Sequence, residues 1–185
     1  CIRDSAGLGL TACDAEVWKW NGTTCGLLGG DCVNSSWANT TYEQVLSMTY
    51  VNSKLYVGLG SSANDAEVWV YSGTSWSQIG GDSLNSGWTT NYEGVYSLNN
   101  DGTNVYAGLG LTAGDNEIWK WNGSSWSKIG GDGVNSGFSN TNIIVNSMAY
   151  GDGKLYAGLT AQALYFPAKY GALMEVAGKE LEVIT

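Results

Sequence analysis

The sequence predicts an all-β protein, a β-propeller or propeller fragment of about four blades, each a four-stranded repeat of roughly fifty residues. Three observations predict it: internal repetition, a composition rich in Gly and aromatic residues, and turn chemistry placed between short strand-like runs. Gly7-Leu8-Gly9, Gly58-Leu59-Gly60, Gly108-Leu109-Gly110 and Gly158-Leu159-Thr160 recur at intervals of 51, 50 and 50 residues. The same offsets relate Glu16-Val17-Trp18 to Glu67-Val68-Trp69 and Glu117-Ile118-Trp119, and Gly29-Gly30-Asp31 to Gly80-Gly81-Asp82 and Gly130-Gly131-Asp132. They also align Trp37 with Trp88 and Phe138.

Composition agrees with that pattern. Of 185 residues, 43% are hydrophobic and only 14% charged, with 27 Gly, nine Trp and eleven Tyr against one Pro and no His. Such a balance suits aromatic-packed, turn-rich β structure and gives helices little to work with.

Within one unit, four runs read as strands: Val95 to Leu98, Asn104 to Gly108, Glu117 to Trp121 and Ser125 to Ile129. Asn100-Asp101-Gly102 and Asn122-Gly123 separate them, because Asn, Asp and Gly tolerate positive φ at low cost. The third run places Trp69 and Tyr71 on one face and Val68 and Val70 on the other, so both faces can be buried, as sheets covered by neighbouring sheets require. The chain therefore reads as one repeat domain over 1–185. It divides into an incomplete first blade carrying disulfides (1–44), two full blades (45–94 and 95–144) and a degenerate last blade (145–185).

The quoted strands, with Glu117-Ile118-Trp119-Lys120-Trp121-Asn122-Gly123 and Ser125-Trp126-Ser127-Lys128-Ile129-Gly130-Gly131, resemble the blade grammar of tectonin-type lectins. Kelch and tachylectin blades are looser relatives in pattern. The resemblance implies a propeller and a lectin-like activity. The sequence departs from it in a longer connection, Asp82 to Gly94, where a blade-specific function would reside. The ends depart too. Cys1 to Ala6 lacks the lead-in seen as Lys54-Leu55-Tyr56, and Ala161 to Thr185 has no Trp, Ser, Asn or Asp, although Gly171 and Gly178 keep the spacing of Gly73 and Gly80.

Charge and residue types narrow the function. A net charge of −9 with eight scattered basic residues argues against nucleic acid and against an anionic membrane, whose partners need clustered Lys and Arg. Without His, the usual neutral-pH base is missing, so the expectation is a protein that is not an enzyme. A carboxylate-pair glycosidase would need one unique pair of acids, and repetition supplies the same acid to every blade.

Candidate ligand residues lie in the long connections. Asp31, Asp82 and Asp132, with Asn34, Asn85 and Asn135, would hold sugar hydroxyls, while Trp37, Trp88 and Phe138, with Tyr42 and Tyr92, would pack on the apolar sugar face. An Asx-type turn opening the loop is the simpler role for these acids and amides. Trp18, Trp69, Trp119, Trp76 and Trp126 fall in strand registers and read as inter-blade core. Glu16, Glu67 and Glu117, preceded by Asp14, Asp65 and Asn116, read first as turn or capping groups. No cofactor is expected, although that acidic row would suit Ca²⁺, which prefers hard oxygen ligands.

Cys1, Cys13, Cys25 and Cys32 cluster without zinc-site spacing and read as two disulfides with three connectivities open, among them a bond from Cys25, at the register of Trp76 and Trp126, to nearby Cys32. Sequons at Asn21, Asn34, Asn39 and Asn122 fit glycosylation of a secreted, extracellular or cell-surface chain. The expected function is an extracellular glycan-binding module whose partners are glycans or a cell-surface polymer. The alternative is a structural surface or filament subunit, a homo-oligomer assembled through open strand edges.

Overall fold

The computed structural model describes residues 15–38, 44–60, 64–89, 91–112, 116–131, 134, 135, 138 and 142–161. Those residues are all-β, with twelve strands and two single 3-10 turns. Strands β1 (Val17–Trp20) and β2 (Cys25–Gly29) form a separate antiparallel pair. A ten-stranded antiparallel sheet then curls through β3 (Gln44–Val51), β4 (Lys54–Gly60), β5 (Val68–Tyr71), β6 (Trp76–Gly80), β7 (Gly94–Asn100), β8 (Val105–Gly110), β9 (Ile118–Trp121), β10 (Trp126–Gly130), β11 (Asn142–Gly151) and β12 (Lys154–Ala161).

Local pairing restarts every fifty residues. β3-β4-β5-β6 and β7-β8-β9-β10 are two four-stranded meanders, with Val57 opposite Trp69 in the first and Ala107 opposite Trp119 in the second. β1–β2 supplies the third and fourth strands of an earlier repeat, and β11–β12 the first and second of a later one. The expected strands around Gly171 and Gly178, and the final run 180–185, lie outside the described residues.

Successive repeats meet along their first strands. A register shift recurs between Val45 and Ser47, Val95 and Ser97, and Val145 and Ser147. An extra residue at this point bends the strand and re-aims the side chains beyond it. Ser47 Oγ donates to the Val95 carbonyl and Ser97 Oγ to the Val145 carbonyl, both at 2.7 Å. Asn99 Nδ2 adds a bond to the Met148 carbonyl at 2.8 Å, and Asn100 Nδ2 reaches Thr49 Oγ1 at 2.7 Å. The approach needs glycine, since a Cβ on Gly58 would stand 2.7 Å from Val95 Cβ.

The core sits between repeats. One cluster joins Ala15, Val17 and Trp37 to Val57, Leu59 and Trp76, and a second joins Ala66, Val68, Ile79 and Trp88 to Val95, Val105, Leu109 and Trp126. Burying each such aliphatic side chain stabilises by about 1.5–3 kcal/mol, so a repeat gains most of its stability from its neighbour. Among the described residues, no helix is long and apolar enough to cross a membrane.

Candidate functional site

The described parts of the long connections that sequence marked for ligand binding are tied down by local hydrogen bonds. After β2 and β6 the chain passes through residues of positive φ, Asp31 at 53° and Asp82 at 51°, then Asn34 at 54° and Asn85 at 52°. Asn and Asp enter this left-handed region more readily than other side-chain-bearing residues. The amides are spent locally: Asn34, Asn85 and Asn135 donate through Nδ2 to the carbonyls of Leu28, Ile79 and Ile129 at 2.9–3.0 Å. Val33 N–H closes onto the Gly30 carbonyl and Leu84 N–H onto that of Gly81, so the backbone is also tied down.

Trp37 and Trp88 then turn inward and are only 2% exposed. Their indole N–H groups donate to the Ala15 and Ala66 carbonyls at 2.7 and 2.6 Å. Each ring packs edge-on against two tryptophans of the next repeat: Trp37 against Trp69 and Trp76, and Trp88 against Trp119 and Trp126, with centroids 5.1–5.9 Å apart. This corrects the expectation that Trp37 and Trp88 stack on sugar, because a ring with both faces covered has none to offer. Phe138 continues the series, standing 3.2 Å from where a Gly130 Cβ would lie, and is partly buried. Tyr92 is partly buried against the second cluster. Asp31 and Asp82 face solvent, and Tyr42 and Asp132 lie outside the described residues.

The acidic row likewise serves packing. Glu16, Glu67 and Glu117 accept indole N–H bonds from Trp18, Trp69 and Trp119 at 2.6–2.8 Å, and Lys128 pairs with Glu117. Asn116 is fully buried, and its amide has no hydrogen-bond partner. Among the described residues, no group of three or more His, Cys, Asp or Glu gathers to hold a metal ion.

Cys32 is a free, exposed thiol, which corrects the expected Cys25–Cys32 crosslink. It is the N-cap of the 3-10 turn, φ 61°, while Cys25 is disulfide-bonded without it. Cys1 and Cys13 lie outside the described residues, as does Asn39. Asn21 and Asn122 sit in exposed hairpin turns, where their Oδ1 atoms accept from the N–H groups two and three residues on.

A site that sequence reasoning missed opens between β1–β2 and β3–β5. This cleft of about 420 Å³ is walled by Trp18, Met48, Leu55 and Tyr71, with Tyr50 beside it and Lys19 and Ser53 as polar groups. The next interface carries Val70, Leu98, Val105 and Trp121 at the registers of Lys19, Met48, Leu55 and Tyr71, and these join or pack against its core cluster. Tyr50 is 67% exposed, whereas its counterpart Tyr150 stacks on Tyr106 at 6.2 Å with the planes 13° apart. Sequence carried little signal of it, since Lys19 stands where Val70 stands one repeat later but Lys120 returns to that register in the repeat after.

The hairpin corresponding to the cleft mouth in the following repeat is closed by Asp101. Its carboxylate accepts from Thr103 N–H, Asn104 N–H, Asn104 Nδ2 and Tyr106 Oη at 2.6–2.9 Å. Desolvation disfavours the charge on Asp101, but the bonds from Asn104, Tyr106 and Thr103 outweigh it and hold the carboxyl well below its usual range. Burial first, and then the Asp101 carboxylate, push the Tyr106 hydroxyl far above the ordinary phenol range.

Compared with known protein families, curated proteins and solved structures, the chain matches none.

Proposed function

We propose that the chain is a β-propeller-type repeat module that binds carbohydrate outside the cell without catalysing a reaction, and that its sugar sits in the cleft between β1–β2 and β3–β5. The radial reading draws support from first strands lying side by side, joined by Ser47 and Ser97, while tryptophan wedges fill the space between sheets. The binding reading rests on one observation: an apolar, aromatic-walled cleft with Tyr50 exposed and Lys19 and Ser53 at hand. Saccharides combine apolar faces with hydroxyls, so rings and a few donors are the matching chemistry.

Calorimetric titration against a panel of oligosaccharides tests it. Lys19→Met should weaken binding about tenfold by removing a charged donor, while Asp82→Asn, in the tied-down connection, should change nothing. A folded wild-type chain that binds no member of a glycan array would end this reading. A second reading, self-assembly through strand edges, is favoured by β6 and β10, the outer strands of the two full repeats, each of which has one strand partner among the described residues.

A further inference from the structure

Of the four sequons, those at Asn21, Asn34 and Asn122 lie in the described residues, and comparison between repeats shows what each asparagine does. Asn21 and Asn122 open the hairpin turns β1–β2 and β9–β10, and Ser72 holds the same place between β5 and β6. All three turns close alike: the N–H of Asn21, Ser72 and Asn122 donates to the carbonyl three residues on at 3.1–3.2 Å. Gly22, Gly73 and Gly123 follow with φ of 98°, 102° and 100°. Because serine serves in the middle repeat, the turn itself does not require asparagine.

Asn34 stands differently. Its Nδ2 donates to the Leu28 carbonyl at 3.0 Å, and Asn85 and Asn135 make the same bond in the later repeats, where no hydroxyl follows two residues on. That amide belongs to the connection, and the sequon arises only because Ser36 takes the place of Gly87 and Gly137. Ser36 is 7% exposed, and its Oγ accepts from the Gly30 N–H at 2.9 Å and donates to the Gly30 carbonyl at 3.1 Å. A transferase reads the amide and the hydroxyl together, and here folding has withdrawn the hydroxyl.

At the hairpins both groups face water. Asn122, Gly123 and Ser124 are exposed, and Ser124 Oγ donates to Asn122 Oδ1 at 3.0 Å, so hydroxyl and amide lie side by side. Asn21, Gly22 and Thr23 are exposed in the same way. Each Nδ2 reaches only an exposed hydroxyl, Thr24 Oγ1 at 3.1 Å and Ser125 Oγ at 3.3 Å. A Cβ on Gly22 or Gly123 would meet no atom within 4 Å, so both tips stand clear of the fold.

We infer that Asn21 and Asn122 are N-glycan acceptors and that Asn34 is not. The co-substrate is an oligosaccharide carried on a lipid diphosphate. The Asn Nδ2 attacks its anomeric carbon, the N–C bond forms as the C–O bond to phosphate breaks, the lipid diphosphate leaves and the amide gives up one proton. The inference rests on the extracellular location proposed above and not on the sugar in the cleft.

Secretion of the chain from eukaryotic cells, followed by electron-transfer fragmentation of its chymotryptic glycopeptides, tests it. Glycan should appear on Asn21 and Asn122, with Asn34 bare. Asn122→Ser should lose one glycan and still fold, as the Ser72 turn does. Ser72→Asn, with Thr74 two residues on, should gain one. A folded, secreted chain that is bare at Asn21 or Asn122, or that carries glycan on Asn34, overturns the inference. So does a Ser72→Asn chain that gains none, because the turn would then not be what qualifies an acceptor. A bare chain that binds a glycan array would leave the cleft reading standing, and a glycosylated chain that binds nothing would remove that reading alone.

Discussion

Asp101 draws four donors onto one carboxylate where the β7–β8 hairpin reverses, and the charge is what those donors hold. Because its folded pKa is depressed, the stability it contributes is present above the unfolded carboxylate value, near 4, and is lost as pH falls through the folded value. Asp101→Asn should therefore lower stability at pH 7 by about 1 kcal/mol, a figure kept small by solvent screening at a turn. Urea melts at pH 7 and pH 3 check it, since the gap between variant and wild type should narrow at the lower pH. The turn was legible from Asn100-Asp101-Gly102. Its fourth donor was not, because Tyr106 reaches Asp101 only once β8 has folded back beside β7.

At the scale of elements, the strand runs read from the sequence end within one or two residues of β7 to β10, because turn residues and β-branched or aromatic runs carry local information. What a loop residue faces is not local information. Trp88 looked like a ligand platform from its place in a polar connection, yet its destination is set by Gly80 and by Trp119 and Trp126 of the next repeat. The cleft was hidden for a related reason. It is a difference between two interfaces, visible only when Lys19, Met48, Leu55 and Tyr71 are set against Val70, Leu98, Val105 and Trp121. The first-strand contact makes its own prediction. Ser97→Ala removes a buried donor and leaves the Val145 carbonyl without it, so denaturant melts should show a loss of about 1–2 kcal/mol. The corresponding Ser47→Ala, in a part-buried setting, should cost less.

For the whole molecule, each repeat is locked to the next from two directions. Trp88 enters from the loop behind, and Trp126 reaches back to donate to the Ile79 carbonyl at 2.8 Å, as Trp76 does to Leu28. Trp88→Ala should cost about 3–5 kcal/mol as a buried aromatic truncation. It should also uncouple the repeats on either side, turning one calorimetric transition into two or broadening it, because nearest-neighbour interfaces carry cooperativity in repeat proteins. A single sharp transition shifted to lower temperature would show that the first-strand bonds suffice for coupling.

A recurring set of side-chain hydrogen bonds that tie one repeat to the next joins residues 47 to 51 positions apart, from Trp126–Ile79 to Asn100–Thr49. Loop-closure entropy depends on that separation, so every interface asks the folding chain for nearly the same search. No repeat pair holds a kinetic head start through topology alone, and folding can nucleate at either full interface and zip outward. Lengthening such a chain by whole repeats would add interfaces while leaving the longest segment that each must close unchanged.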